Sequence, residues 1–562
     1  LRDFEGLPRV TPEKVSAFLP KAAADARDLP VWSGELYLEL HRGTYTTQAA
    51  VKRANRRCER LLHDAELYAA LAPDAGVDRV DAPRPVHDVA RPDEHTVPAY
   101  LERAWKLLLL NQFHDIIPGS SIGWVYEDAA CDYATIERLC EAVAGPARRA
   151  LAARIATGTA QSELAVFNPG GFDRQEVASL PDGTPAFVTV PMCGYAVHAP
   201  DASAHDLPPV SVSLEDGSAI LDNGIVRAVF DADGRLVSLR DHRVDREIVA
   251  PGERGNVFEL RQDYPNNHDA WDIDPFVLEA GGEISAETDP LEIVENHPLR
   301  AVVRVSRRFG SSGLVQRICL RAGSARLDFE TEVDWHENRR LLQVAFPVNV
   351  RSLRATFETQ FGHVERPTHR NTSWDAARFE VCAHRWADLS EGDGYGVALL
   401  NDSKYGHSVL GHTLRLSLLR APAEPDPSAD RGRHRFTYAL FPHPGDFRAG
   451  RVVAEAAALN APLDLVAIDS GAAGSESFFS VDQPNVVLDT IKPAEREEAV
   501  IVRMYEAHGT RCRVAFRTSL PVREMARADL LERTQETVAH ENGATTLEVA
   551  PFEIVTLKIV RG

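Results

Sequence analysis

The chain has 562 residues, of which 44% are hydrophobic and 26% charged, with 83 acidic against 62 basic side chains and a net charge of −21. These values suit a soluble globular protein of several domains. They argue against nucleic acid as the main partner, because neutralising phosphates needs a basic surface. No stretch approaches the ~18 uninterrupted apolar residues of a membrane span. The seven cysteines are scattered and form no CxxC pair, so a thiolate metal site is not expected, and free thiols in a reducing cytoplasm are the simplest reading. Leu1-Arg2-Asp3-Phe4 carries neither a Met nor a signal-peptide pattern, so this start is not expected to be a natural one.

In chain order, residues 1–30 read as one helical segment, with Pro12 in a first turn after Thr11. Residues 48–72 repeat apolar side chains at helical spacing (Val51, Ala54, Cys58, Leu61, Leu62, Ala65), and 73–97 read as a loop rich in Pro, Asp and Arg. A second helix is expected over Val97–Phe113, opened by Pro98, and a third from Ser120 to about Arg154, with Ser121 as a candidate cap. After Thr157 the pattern changes to alternation and turns. A strand is expected at Ala165–Asn168, a hairpin over Ala219–Leu239 around Asp231-Ala232-Asp233-Gly234, and further strands at Val302–Val305, Leu327–Val333, Thr546–Val549 and Ile554–Ile559. The fold class that follows is α+β and multidomain: a three-helix bundle, then large antiparallel β-sandwich domains.

Three segments carry more polar chemistry than a bare fold needs. Trp32–Gln48 is dense in carboxylate, imidazole, phenol and hydroxyl groups; it could hydrogen-bond a polyhydroxylated ligand, but a strand and turn leading into a capped helix explains it as well. In Leu107–Ser121 an apolar helix runs into His114-Asp115 and breaks at Pro118-Gly119. His114 is expected at the helix end and partly buried. Neutral imidazole is a good zinc ligand, but a site needs about three protein ligands, and a lone His at a helix end is more often a dipole partner. Gln262–Asp274 holds four acids, a His and Trp271. It reads as a sugar-facing loop or, more simply, as a solvated, capped turn. Arg366–Asp375 is similar in kind.

Val31–Gln48 and Asn111–Ser121, read as whole motifs, closely resemble glycoside hydrolase family 38, in the cytosolic and bacterial branch of its α-mannosidases. Val166–Pro169, Asp269–Asp274, Glu365–Asp375 and Leu399–Gly406 look like the C-terminal domains of that branch, so the resemblance covers nearly the whole chain. It implies a retaining, zinc-dependent α-mannosidase acting on terminal α-mannosides, and a galactose-mutarotase-like super-sandwich within the β region. It divides the chain into a residual end of the α/β catalytic domain (1–30), a three-helix middle domain (31–158), a small β domain (159–215), a large β-sandwich (216–445) and a C-terminal β domain (446–562). By matching motif positions, His114 would be a zinc ligand and Asp115 a contact to sugar hydroxyls, while Glu35, His41 and Tyr45 would lie at the edge of the active site.

The departures are equally specific. None of the twenty histidines is followed two residues later by Asp, so the family's His-x-Asp zinc pair has no counterpart. The segments bearing its nucleophile and general acid have none either. The resemblance therefore implies the C-terminal portion of such an enzyme, inactive alone, with its N-terminal catalytic domain as partner. The reading also admits a homo-oligomer and keeps two alternatives, a non-catalytic carbohydrate-binding module and an assembly module.

Overall fold

A computed structural model describes residues 4–80, 95–156, 162–198, 207–392, 394–469 and 474–562. Residues 1–38 and 39–562 form two separate compact units. In the first, the helix expected over residues 1–30 is confined to α1 (Val15–Asp25), beginning after Lys14 rather than at Pro12, and none of its residues is buried. Phe4, Leu7, Phe18, Leu19 and Trp32 are all exposed.

In the second unit the helical periodicities resolve into α2 (Ala49–Leu71), α3 (Val97–Asn111) and α4 (Gly123–Ile155). The apolar stripe of α2 (Val51, Cys58, Leu62, Ala65) is buried against its neighbours as the spacing requires. Thr96 caps α3 by accepting the Ala99 N–H, with Pro98 in the first turn, where its missing N–H costs nothing. Ser121 does not cap α4. That helix starts after Ile122 with no side-chain cap, because the Ser121 hydroxyl donates instead to the Asp115 carbonyl, at 2.7 Å.

Everything after residue 161 is built chiefly from antiparallel sheets. Strand Leu327–Trp335 shows the expected alternation: Phe329, Thr331 and Val333 point inward, while Glu332 and Asp334 face solvent. The expected strand over Ala219–Phe230 is instead two strands, Ser218–Asp222 and Val226–Phe230, because Asn223-Gly224 turns the chain with Gly224 at φ 77°. The hairpin from Val226–Phe230 into Leu236–Asp241 forms as read. The large sandwich has an aromatic centre drawn from three sheets. Phe329 stacks on Tyr438 at 5.1 Å, meets Phe346 at 5.6 Å and Phe230 at 6.2 Å, where such pairs add to plain area burial.

Pairing runs across two of the expected domain borders. Ser211–Glu215 pairs with Ser218–Asp222. Ser162–Asn168 pairs with Asp464–Asp469, and Gly194–His198 with Ser475–Ser477, so one sheet is made from strands lying on both sides of the large sandwich in sequence. The helices and the C-terminal strands share one apolar core, in which Leu62, Tyr68, Val486, Val502 and Leu557 are all buried.

Helix α2 touches each β region. Its Arg56 guanidinium donates to Asn401 Oδ1 (2.9 Å) and lies over the Tyr405 ring. His63 hydrogen-bonds the Asp489 carbonyl, and the Tyr68 hydroxyl donates to Asp464 at 2.6 Å. At the helix start the segment 42–48 is clamped to the sandwich by Arg420, which is fully buried. Arg420 pairs with Asp263 (2.5 Å) and donates to Thr47 Oγ1 and to the carbonyls of Ala270 and Asp272. Arg420→Met would strand the Asp263 carboxylate in the interior. Denaturant unfolding of the region is expected to show a loss of about 3–5 kcal/mol, and the double variant with Asp263→Leu a loss well below the sum of the singles. A loss under ~1 kcal/mol in the single variant would show that the clamp does not hold the junction.

Candidate functional site

The two N-terminal motifs meet through backbone and buried charge. Arg42, 5% exposed, donates from Nη2 to the Ala377 carbonyl (3.1 Å) and lies 4.7 Å from the Phe379 ring centre. Gly43 passes so close to Arg420 that a Cβ there would lie 2.2 Å from its Nη1. Asp430 caps α2 from the sandwich, accepting the N–H groups of Gln48 (2.6 Å) and Ala49 (2.7 Å), while Asp426 accepts from the Gln48 side chain (2.8 Å). A carboxylate is well placed there, beside the positive end of the helix.

Lys52 joins the two motifs, donating to the carbonyls of Thr47 and of Ile117 (2.9 Å). Burial pushes this amine down to about 7, with the Asp430 carboxylate opposing. Gly119, at φ 88°, lies so close to the Thr47 carbonyl that a Cβ would approach it to 2.4 Å. The turn 112–121 is thereby fixed on the segment 42–48.

That turn presents His114 and Asp115. Helix α3 ends at Asn111, and His114 sits in the following turns with 77% of its side chain exposed. The expected partial burial is not found, because the apolar run Leu107–Leu110 stops one turn short of it. Asp115 is 47% exposed, and its carboxylate lies 3.5 Å from His114 Nε2. Ser120 donates to Asp115 Oδ1 (3.3 Å), and the hydroxyls of Ser121 and Tyr126 reach its carbonyl. The pair is thus mounted on an anchored turn and left open outward. Phe113, Ile122 and Trp124, also exposed, lie on either side of it in sequence.

The remaining sequence candidates divide. His41 is exposed and left-handed (φ 63°), opening the short 3-10 turn Arg42–Tyr45, and its carbonyl accepts from Thr44 Oγ1. Tyr45 is half-buried in that turn. Glu35 belongs to the other compact unit, where its carbonyl accepts from the Trp32 indole at 3.1 Å.

In two polar loops, several side chains serve the fold. Asp263 and Asp269 are buried; Asp263 holds Arg420, and Asp269 accepts the Ala423 N–H and pairs with Arg339. Thr372 and Asp375 form a capping box on the helix Ser373–Ala377. Sequence reasoning missed Asp426, Asp430 and Arg420, whose partners lie hundreds of positions away in the chain.

Zinc needs about three protein ligands. Among the described residues no three or more His, Cys, Asp or Glu side chains gather to hold a metal, so the donors present do not make up a zinc site. None of the seven cysteines forms a disulfide. No helix among the described residues is long and apolar enough to cross a membrane.

The buried network behind this face predicts a pH response. His407, 1% exposed, donates from Nδ1 to the Tyr405 carbonyl and accepts at Nε2 from the Asn401 side-chain amide, and burial pushes its imidazole down to about 3. Between pH 6.5 and 3 the unfolded chain therefore binds a proton that the native chain refuses. Stability falls as pH falls through that window, by about 1.4 kcal/mol per pH unit from this group. Urea unfolding of His407→Gln is expected to show a shallower loss between pH 6.5 and 4.5 than the unsubstituted chain; equal slopes would refute the assignment.

Residues 39–151 match the alpha mannosidase middle domain. Residues 221–428 match the glycosyl hydrolases family 38 C-terminal domain, and 485–557 the C-terminal beta sandwich domain of the same family. Human alpha-mannosidase 2C1 is 43% identical over 580 residues, covering 100% of this chain and 54% of its own length. Alpha-mannosidase G of Dictyostelium discoideum is 33% identical, covering 100% of this chain and 56% of its own. The chain thus spans about half the length of the curated relatives it matches. An alpha-mannosidase from Enterococcus faecalis V583 shares the fold, with a TM-score of 0.75 at 15% identity over 97% of this chain and 72% of the other. With three matched segments together spanning most of its length, the chain belongs to glycosyl hydrolase family 38, of which it carries the middle and C-terminal domains.

Proposed function

We propose that this chain is the middle and C-terminal part of a retaining α-mannosidase that removes terminal α-mannose residues with the help of zinc. The observation that carries the reading is the exposed His114-Asp115 pair, held outward on a turn that is anchored by Ser120, Ser121, Tyr126 and Gly119. A structural role would not need a carboxylate and an imidazole presented to the outside on so rigid a mount. Similarity to α-mannosidases of about twice this length adds support.

In this reading His114 supplies one zinc ligand and Asp115 accepts from sugar hydroxyls. His41 and Tyr45 border the sugar from the neighbouring segment, and Glu35 adds a further substrate contact. Bound zinc would engage sugar hydroxyls and favour a distorted ring. Retention needs two carboxyl groups about 5–5.5 Å apart, one a nucleophile and one an acid/base. Both are assigned to an α/β catalytic domain encoded upstream, which would cover the His114 face. The chain alone would then be inactive. Seven cysteines without a disulfide suit a reducing compartment such as the cytoplasm.

The test is hydrolysis of an aryl α-mannoside with added zinc by this chain, by a form extended upstream, and by that form carrying His114→Ala. The expected result is silence, activity, and a loss of at least about a hundredfold, the size expected when a metal-site group is removed. Turnover by the short chain at a rate near that of the extended one would overturn the assignment.

A further inference from the structure

Helix α2 carries a polar stripe beside its apolar one. Lys52, Asn55 and Glu59 recur at spacings of three and four, so they share one face of the helix. All three reach the segment that holds His114 and Asp115. Asn55 Oδ1 and Glu59 Oε1 accept from the Gln112 side-chain amide at 3.0 and 2.8 Å. Lys52 Nζ donates to the Ile117 carbonyl at 2.9 Å. His114 and Asp115 are therefore bracketed by two points tied to α2, Gln112 before them and Ile117 after.

The bonds inside the turn are of another kind. Ser120, Ser121 and Tyr126 reach Asp115 from the same stretch of chain, and they fix its shape without fixing where it stands. The α2 stripe supplies the place. Lys52 has the largest share, because the same amine also donates to the Thr47 carbonyl. One side chain thus spans the segment of His41 and Tyr45 and the segment of His114 and Asp115. It is 4% exposed, so water offers little competition for either bond. Core packing comes from the adjacent positions of the helix, Val51, Cys58, Leu62 and Ala65.

We propose that Lys52, backed by Asn55 and Glu59 through Gln112, is a positioning residue for His114 and Asp115: it sets their place relative to His41 and Tyr45, and so the gap in which the sugar is held. This rests on the α-mannosidase reading for the ligand, and on the bonds themselves for the placing. Lys52 touches no substrate; it acts through the Thr47 and Ile117 carbonyls. A shift of about 1 Å that begins away from the chemistry can cost about a hundredfold in rate.

Two measurements test this. In the first, amide hydrogen exchange is followed by mass spectrometry in this chain, in Lys52→Met, and in Gln112→Ala, which removes the other tie. Exchange across 112–121 should quicken at least about tenfold in each, as loss of hydrogen bonds to a charged group implies, while the buried stretch 133–147 of α4 keeps its rate. In the second, the form extended upstream is assayed on an aryl α-mannoside. Lys52→Met should raise KM at least about tenfold, with kcat changed by less than about threefold. In an Asp115→Ala background the same substitution should raise KM by less than about threefold, because the group it places is gone. A side chain that only stabilises the fold would quicken both stretches together and give the same KM penalty in both backgrounds. If Lys52→Met does not fold, Gln112→Ala decides on the same criteria. Unchanged exchange across 112–121, or equal KM penalties with and without Asp115, overturns the proposal. Silence of the unsubstituted extended form would sink the mannosidase reading instead, and the exchange result then decides the placing role by itself.

Discussion

A guanidinium with no exposure to water needs acceptors for its donors and a counter-charge for its charge. Arg420 finds the counter-charge in Asp263 and acceptors for four of its five N–H groups in Asp263, Thr47 and two carbonyls of the 270–272 loop. Much of the junction follows. Gly43 must be glycine because the guanidinium fills the space beside it. Thr47 is fixed by Arg420 on one side, and its carbonyl by Lys52 and Gly119 on the other, which sets the turn carrying His114. The polar pair presented outward is thus positioned from beneath by a charge belonging to the β-sandwich, not by the helix it follows.

This arrangement also explains which parts of the molecule could be read from sequence. Helix α2 was legible because its buried positions recur at 3–4 residues, a local property. Strand Leu327–Trp335 was legible because its two faces meet different media. Asp263 and Asp269 were visible only as a polar cluster. Their partners, Arg420, Arg339 and the Ala423 N–H, lie far along the chain, so nothing local distinguishes a buried clamp from a solvated turn or a sugar loop. Ser121 failed as a cap for the same reason: the sequence offers the hydroxyl but not the competing Asp115 carbonyl.

The candidate site divides in the same way. His114 and Asp115 stood out through a motif in which an apolar helix ends abruptly, and the turn they occupy follows from that ending. Their exposure did not, since a helix end can be buried or open with the same residues.

The sheet that pairs Ser162–Asn168 with Asp464–Asp469 has a consequence for synthesis. The first strand leaves the ribosome while its neighbour is still untranslated, and the whole large sandwich must emerge between them. Such non-local pairing is slow to form, and an unpaired strand edge is a template for foreign chains. The nascent chain therefore passes through an interval in which the sandwich can complete itself while the sheet beside the helices remains open. The late strand closes that edge and ties the beginning of the β region to its end.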